Sequence, residues 1–247
     1  MTKRKTRNRT EKLFNSLRDI AKQSEPKDTV DGDFPMSVDS PEAKSQSFGA
    51  TLEEAQESGE LVRMKKFRSQ LLHQWLIEHF EPCRVADVGG GKGLLTYLLQ
   101  KSGWEAVVID PLQQPLPDKY KDISHNKRIN IPPTEMVPHI NKEFEPAMAQ
   151  NYDFLIGMHA HASNIKIIDA AAKYHCGFVL LPCCIIDEPI YPAPGVHWLE
   201  CLADYAVQKG FTVRPFRLNF RGQNIGFYAA PGGLTHAKSA KIAVQRR

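Results

Sequence analysis

The sequence has few of the features that mark membrane or secreted proteins. No apolar run approaches the roughly 18 residues that a membrane-spanning helix needs, and the basic N-terminus lacks the apolar stretch of a signal peptide. There are only five cysteines, an odd number with two of them adjacent, which does not suit a disulfide framework. These absences predict a protein without a membrane segment that works in a reducing, cytoplasmic compartment.

The most informative stretch runs from Cys83 to Asp110. An apolar run ending at Val88 leads into a glycine-rich turn at 89–93, then a helical pattern, and then a second apolar run. This order predicts a strand, a turn, a helix and a strand, with Asp87 and Asp110 near the strand tips. Glycines let the backbone approach a ligand closely, and the helix that follows offers unpaired N–H groups. The stretch therefore predicts a site for a nucleotide-type cofactor.

Two common nucleotide-binding patterns are missing from this stretch. A phosphate-binding P-loop needs a hydroxyl residue after its lysine, but Gly93 follows Lys92. A dinucleotide fingerprint needs its third glycine at the third position after the second, and Leu94 occupies that position. The spacing that fits is D-x-G-x-G-x-G, carried by Asp87, Gly89, Gly91 and Gly93.

The D-x-G-x-G-x-G pattern resembles the first motif of class I S-adenosylmethionine-dependent methyltransferases. The resemblance implies that Asp87 and the glycine-rich turn, including Gly90, hold the methionine end of S-adenosyl-L-methionine. Asp110 ends the second predicted strand, where a carboxylate can accept hydrogen bonds from both hydroxyls of an adenosine ribose. A different ligand on a glycine-rich Rossmann turn stays an alternative at this point.

Extended and helical patterns alternate along the chain, which predicts an α/β fold with a doubly wound parallel sheet and one antiparallel strand. The methyltransferase resemblance implies a Rossmann-like sheet of seven strands, closed by a C-terminal antiparallel hairpin that turns tightly at 221–222. The predicted strands lie near 85–88, 106–109, 128–131, 153–157, 178–181, 211–220 and 223–230. The predicted helices lie near 10–23, 61–80, 94–99, 139–149, 164–174 and 194–210, with Gly177 ending the fifth.

The patterning divides the chain into three parts. Residues 1–58 are predicted to hold a basic arm, unstructured through residue 9, then a short helix capped by Thr10, and a disordered linker poor in apolar residues. Residues 59–232 are predicted to form the S-adenosylmethionine-dependent methyltransferase domain. Residues 233–247 are predicted to be a basic, disordered tail.

The net charge of +4 is unevenly distributed. Residues 1–23 carry eight Lys or Arg residues against two acids, and residues 236–247 carry four against none. The remaining residues, 24–235, therefore carry a net charge of −6. Basic ends on an acidic body predict attraction to a polyanion, with nucleic acid the first candidate, although basic tails that only aid solubility stay an alternative.

Two later strand tips carry the residues that border the predicted acceptor. The stretch 152–187 resembles the eukaryotic tRNA (uracil-2′-O-)-methyltransferases and related tRNA 2′-O-methylases, through Gly157-Met158-His159 and Leu181-Pro182-Cys183-Cys184. The first family continues with Ser-Asp-Glu after its histidine, whereas this chain reads Ala160-His161-Ala162 and lacks the acidic pair. The resemblance covers roughly residues 60–230 and implies a tRNA substrate.

His159 is the candidate general base, because a neutral imidazole can accept a proton from a hydroxyl. Orienting the substrate or packing on the cofactor is the alternative role. His161 is expected on the other side of an extended chain. Cys183 is predicted to border the reacting methyl group, with Pro182 and Cys184, as an apolar wall. No metal is predicted, because zinc sites usually use separated cysteine pairs, and a covalent role for cysteine stays a minor alternative.

These features together predict an S-adenosylmethionine-dependent methyltransferase that acts on RNA, with a tRNA ribose 2′-hydroxyl as the favoured acceptor. Two alternatives remain from the residues alone. One is a methyltransferase for a small molecule or a protein, with basic ends unrelated to its substrate. The other is a non-catalytic module that binds the cofactor or RNA.

Overall fold

The computed structural model describes residues 3–25 and 65–230. The helices in these ranges are α1 (Lys3–Ser24), α2 (Arg68–His79), α3 (Leu94–Lys101), α4 (Asn164–Tyr174) and α5 (Trp198–Gln208). The strands are β1 (Arg84–Val88), β2 (Glu105–Ile109), β3 (Lys119–Asp122), β4 (Lys127–Asn130), β5 (His139–Ile140), β6 (Phe154–Met158), β7 (Gly177–Leu181), β8 (Arg214–Arg217) and β9 (Ile225–Ala229). The predicted linker beyond residue 25, the domain boundaries at 58/59 and 232/233, and the basic tail lie outside the described residues.

Seven strands form one sheet in the order β5-β2-β1-β6-β7-β9-β8. The first five of these run parallel to one another, and β9 is antiparallel to both of its neighbours. The chain builds one half from β1 outward to β5, and then returns to the centre with β6 to build the other half. The predicted doubly wound, seven-stranded sheet with an antiparallel C-terminal pair is therefore confirmed.

Apolar side chains cover both faces of the sheet. Successive residues of a strand point to opposite faces, so Val85 packs in the core under α2 and α3, whereas Ala86 packs in the core under α1, α4 and α5. The helices contribute Leu72, Ile168 and Leu202, all of which are fully buried. Each such side chain stabilises the fold by about 1.5–3 kcal/mol. The two cores hold the sheet in place beneath its strand tips.

Two predictions between β2 and β6 are wrong. The segment predicted as the third strand of the main sheet forms β4, which pairs only with β3 in a separate antiparallel hairpin. The segment 139–149 is not a helix: His139–Ile140 pairs in parallel with β2, and a short 3₁₀ turn follows at Pro146–Asn151. Pro146 explains the error, because proline disfavours the α conformation of the residue before it, and Glu145 is extended.

The N-terminal helix α1 is longer than predicted. It begins at Lys3, so the predicted unstructured arm is wrong over residues 3–9, and Thr10 does not cap the helix. Apolar side chains fix the helix to the core, because Leu17 is buried and Leu13, Phe14 and Ile20 pack against the same core. The helix lies against α5 and β8, where Glu11 accepts a 3.0 Å hydrogen bond from the buried Arg217.

The remaining boundaries differ from prediction only at their ends. The residue that ends α4 in the left-handed conformation is His175 (φ 57°), and Gly177 instead opens β7. The turn between β8 and β9 spans 218–224, so it is longer than the predicted tight turn. Asn224 Nδ2 stabilises it by donating to the carbonyls of Leu218 and Phe220. Within residues 3–25 and 65–230, every helix is too short or too polar to cross a bilayer.

Candidate functional site

The carboxyl ends of β2, β1, β6 and β7 lie side by side in that order. Strand order reverses between β1 and β6, which is where open α/β sheets bind ligands. The segments that follow these four strands form the candidate site. They are the glycine loop (residues 89–93), Asp110, the histidine segment (residues 159–163) and the cysteine segment (residues 182–188).

The glycine loop needs glycine for two different reasons. Gly89, Gly91 and Gly93 have φ values of 67°, 55° and 71°, a region that residues with a Cβ rarely adopt. Gly90 is required by packing, because a Cβ there would lie 2.7 Å from Asp87 Oδ2. The loop is closed by a 2.8 Å hydrogen bond from Gly89 N to the Ile109 carbonyl, which joins it to the tip of β2.

Asp87 lies beneath the glycine loop and is 1% exposed. Its Oδ2 accepts a 2.9 Å hydrogen bond from the Thr96 hydroxyl in α3, while its Oδ1 has no hydrogen-bond partner among the described residues. Burial raises the pKa of the Asp87 carboxyl to about 6, and the Thr96 hydrogen bonds oppose that rise. Asp87 therefore ties β1 to α3 and keeps a second, buried oxygen that can accept a hydrogen bond.

Asp110 follows β2 and faces the middle of the glycine loop. Its Oδ2 accepts a 3.0 Å hydrogen bond from Gly91 N, and its Oδ1 accepts a 2.9 Å hydrogen bond from Leu112 N. A carboxylate offers about four acceptor positions, so both oxygens keep capacity for ligand hydroxyls. The two backbone hydrogen bonds fix the carboxylate at the strand tip where the sequence predicted it.

A cavity of about 490 Å³ opens beside the glycine loop, on the side of β2 and β5. Gly91 and Lys92 line one wall, and the proline-rich segments 113–118 and 131–137 line most of the rest. Its volume falls in the range of about 300–1,000 Å³ that is typical of small-molecule sites. Asp110, His159 and Cys183 are not among the described residues that line it, so the cavity lies beyond the tips of β2 and β5 and away from the histidine segment.

The histidine segment lies on the opposite side of the glycine loop. A Cβ on Gly89 would be 3.3 Å from the Cα of Ala160, so the two segments are in contact. His159 has a φ of 60°, and its backbone N–H donates a 3.1 Å hydrogen bond to the Leu181 carbonyl at the tip of β7. The structure thus places His159 between the glycine loop and the cysteine segment.

His161 is directed to the cysteine segment. Its Nδ1 lies 3.3 Å from Cys184 Sγ, and its Nε2 lies 3.6 Å from Cys183 Sγ. The two sulfur atoms are 3.5 Å apart. The sequence did not predict this cluster, because alternation along an extended chain does not show which distant segment a side chain will contact.

Sequence reasoning also missed Glu188, which is 3% exposed. Its carboxylate accepts hydrogen bonds from Asn164 N at 2.9 Å, Asn164 Nδ2 at 2.6 Å and Ile165 N at 3.2 Å. These donors include the first N–H groups of α4, which have no partner within the helix. In the sequence Glu188 is visible only as an acidic residue in a predicted loop. That does not indicate that it binds Asn164 and Ile165, more than 20 residues earlier in the chain.

Comparison with known proteins gives a partial sequence match. No protein-family profile matches the chain. A Caenorhabditis elegans protein named probable tRNA (uracil-O(2)-)-methyltransferase is 32% identical over 106 residues, which is 42% of this chain and 18% of the worm protein. The human protein of the same name is 29% identical over 103 residues, 41% of this chain and 12% of its own length. The chain therefore spans less than a fifth of each relative.

Solved structures with a similar outline are more distant in sequence. A methyltransferase of calicheamicin biosynthesis, CalO1, in its SAH-bound form is 12% identical with a TM-score of 0.37, over 72% of this chain and 56% of its own. A 1,6-didemethyltoxoflavin-N1-methyltransferase from Burkholderia thailandensis is 14% identical with a TM-score of 0.36, over 66% and 76%. The resemblance that the motifs indicated is confirmed by the sequence match: about two fifths of the chain is similar to proteins named tRNA (uracil-O(2)-)-methyltransferases.

Proposed function

We propose that this chain is an S-adenosylmethionine-dependent methyltransferase that acts on RNA, with the ribose 2′-hydroxyl of a tRNA nucleotide as the favoured acceptor. The observation that carries the proposal is the glycine loop at the switch point of the sheet, with Asp110 at the next strand tip. The partial similarity to tRNA (uracil-O(2)-)-methyltransferases supports the choice of RNA. The five cysteines, none in a disulfide, suit the reducing cytoplasm that the sequence predicts.

The described residues fit S-adenosyl-L-methionine. The buried Oδ1 of Asp87, directly below the loop, is an acceptor that an ammonium group could satisfy. The glycines leave the backbone of the loop without a Cβ in the way, so a ligand can approach it closely. Asp110 keeps acceptor capacity for ribose hydroxyls, and the adjoining cavity offers room for an adenine. The two carboxylate acceptors, the accessible backbone of the loop and the cavity therefore fit the parts of this ligand.

S-adenosyl-L-methionine supplies a methyl group bound to a sulfonium sulfur. Transfer of that methyl group leaves a neutral thioether, so no acid is needed to protonate a leaving group. The chain has two tasks: to hold the hydroxyl in line with the methyl carbon, and to take up the hydroxyl proton. We assign the second task to His159, because its backbone is fixed to β7 while its segment contacts the glycine loop. Cys183 and Pro182 would border the acceptor on the far side.

The surface of α1 supports RNA as the partner. Its apolar side packs against the core beside α5 and β8, so its polar side faces solvent and exposes Arg9, Lys12, Arg18 and Lys22. Only Lys22 of these is within 4.0 Å of an acid among the described residues, at 3.5 Å from Asp19. Exposed cations on a helix can bind phosphates along an RNA backbone.

The proposal is tested by incubating the purified chain with methyl-labelled S-adenosyl-L-methionine and total tRNA, followed by nucleoside mass spectrometry. We expect label in a 2′-O-methylated nucleoside, and loss of that label in His159→Ala. His125→Ala is the matched control, because His125 is an exposed histidine on the β3–β4 turn. Label on a base, on protein or on a small molecule would replace the ribose assignment, and no label in any RNA would reject the RNA function.

A further inference from the structure

Three metal-binding side chains meet at the tips of β6 and β7. His161, Cys183 and Cys184 each offer one ligand atom, and these atoms all lie within 4.8 Å of one another. The histidine is exposed and both cysteines are half-buried, so the cluster is open to solvent on one side. The proposed methyl transfer uses no metal and does not explain why an imidazole and two thiols converge.

The spacing of the three atoms matches a tetrahedral zinc ion. With Zn–S near 2.3 Å and Zn–N near 2.0–2.1 Å, two sulfur ligands lie about 3.8 Å apart, and a sulfur and a nitrogen about 3.5 Å apart. In this structure the sulfurs are 3.5 Å apart, and His161 Nε2 lies 3.6 Å from Cys183 Sγ and 4.0 Å from Cys184 Sγ. Shifts of a few tenths of an ångström would complete the triangle.

Contacts outside the cluster hold its two halves together. Ala162 N donates a 3.2 Å hydrogen bond to the Ile186 carbonyl, which joins the histidine segment to the cysteine segment directly beside the ligands. Glu188 binds the start of α4 from the cysteine segment. Ala162 and Asp187 both adopt φ values of 58°, and non-glycine residues in that conformation are held by their surroundings at a cost of about 1–3 kcal/mol each. The ligands are therefore positioned by backbone contacts that do not depend on the ligands themselves.

We propose that His161 Nε2, Cys183 Sγ and Cys184 Sγ bind one thiophilic divalent cation of the zinc class. Two thiolates and an imidazole favour zinc over magnesium or calcium, which bind oxygen. Three protein ligands leave one position of a tetrahedral ion open to water or to another oxygen, the arrangement of catalytic rather than structural zinc sites. No metal was predicted from the sequence, because the two cysteines are adjacent and not a separated pair. The third ligand comes from a different strand tip, which the spacing of the cysteines does not show.

The site goes beyond the proposed function and does not require it, since the ion would bind to the chain with no RNA or cofactor present. The test uses zinc and cobalt as probes on the full chain, kept reduced throughout. We expect one equivalent of Zn²⁺ to remain after dialysis, as measured by elemental mass spectrometry. We expect Co²⁺ to give the intense visible absorption of a tetrahedral ion together with a thiolate charge-transfer band, and Zn²⁺ to abolish both. Binding should release protons, because thiols lose theirs on coordination.

Variants assign the ligands. His161→Ala and Cys183→Ser should each weaken Zn²⁺ binding by about 100-fold or more, with circular dichroism unchanged in the absence of metal. His125→Ala and Cys201→Ser are the matched controls and should bind like the parent chain. Failure of the reduced chain to retain Zn²⁺ or to give the cobalt spectrum would overturn the proposal, as would equal affinity in the ligand and control variants. Neither result would affect the test for methyl transfer to tRNA.

Discussion

The glycine loop and the histidine segment are two connections of the same length with opposite composition. Each joins a central strand to a helix, and each starts in the left-handed conformation, at Gly89 (φ 67°) and His159 (φ 60°). The first uses glycine, for which this conformation is accessible without steric cost. The second uses residues with side chains, for which it costs about 1–2 kcal/mol per residue.

The contrast shows where the chain needs side chains and where it must exclude them. The glycine loop leaves its backbone open to a ligand and is supported locally, by Asp87 and Thr96. The histidine segment presents His159 and His161. It is supported by residues distant in the sequence, namely the cysteine segment with its Glu188. Stability and binding measurements should therefore separate the two connections.

The strongest effect is expected where Glu188 supports the histidine segment. Glu188→Ala leaves the buried N–H groups of Asn164 and Ile165 without an acceptor, and Asn164 Nδ2 keeps only its bond to the Ala160 carbonyl. We therefore expect the free energy of unfolding to fall by about 4 kcal/mol. Urea denaturation measures it. Glu143→Ala is the control. The Glu143 side chain is 79% exposed, and its ion pair with Lys166 is long, at 3.8 Å, so it contributes little to stability. Equal denaturation midpoints for the two variants would show that Glu188 does not hold the segment.

A pH dependence is expected on the glycine-loop side. Burial raises the pKa of Asp87 from 3.8 to about 6, so the folded protein holds this proton more tightly than the unfolded chain. The contribution of Asp87 to the free energy of unfolding therefore falls, by about 2–3 kcal/mol, as pH rises from about 4 to about 7. Asp87→Asn removes this contribution. Urea denaturation measures the free energy of unfolding of the parent chain and of Asp87→Asn across this range. The value for the parent chain minus the value for the variant should fall as pH rises, and a constant difference would contradict the raised pKa of Asp87.

Ligand binding at the glycine loop is expected to depend on Gly90. Gly90→Ala places a Cβ 2.7 Å from Asp87 Oδ2, so the loop must move, and we expect S-adenosylhomocysteine to bind about 100-fold more weakly. Isothermal titration calorimetry measures the affinity. Gly103→Ala controls for general destabilisation, because its φ of 85° strains an alanine while no described atom lies within 4 Å of the new Cβ. Unchanged affinity in Gly90→Ala would mean that the ligand does not use this loop.

The weakest effect concerns α1, which is remote from both connections in sequence. Replacing Lys12 and Arg18 by alanine should weaken tRNA binding up to about tenfold and reduce its logarithmic dependence on salt concentration by about 2. Lys173→Ala, at an exposed lysine near the end of α4, should change neither quantity. An equal loss in the control would indicate general charge attraction instead of a specific surface.

The two connections also differ in how far the sequence predicts them. The glycine loop was predicted correctly because its pattern is local: strand, glycines and helix follow one another directly along the chain. The His161–Cys183–Cys184 cluster and the Glu188 contacts were not, because they join segments distant in sequence and depend on tertiary packing.

Two errors away from the site have local causes. The segment 139–149 was mispredicted as a helix, although it contains Pro146, which cannot continue a helix from the residues before it. The length of α1 was underestimated because its first residues carry charge in place of an apolar stripe.

The cofactor assignment depends above all on Asp110, and a calorimetric titration of S-adenosylhomocysteine into the parent chain and Asp110→Asn tests it. We expect one saturable site in the parent chain, and at least about tenfold weaker binding in the variant, because the asparagine loses the charge and one acceptor that the proposed function assigns to the ribose hydroxyls. Asp19→Ala, at a carboxylate 69% exposed on α1, should bind like the parent chain. Absence of binding in the parent chain, or equal affinity in Asp110→Asn, would contradict the assignment of the glycine loop as the cofactor site.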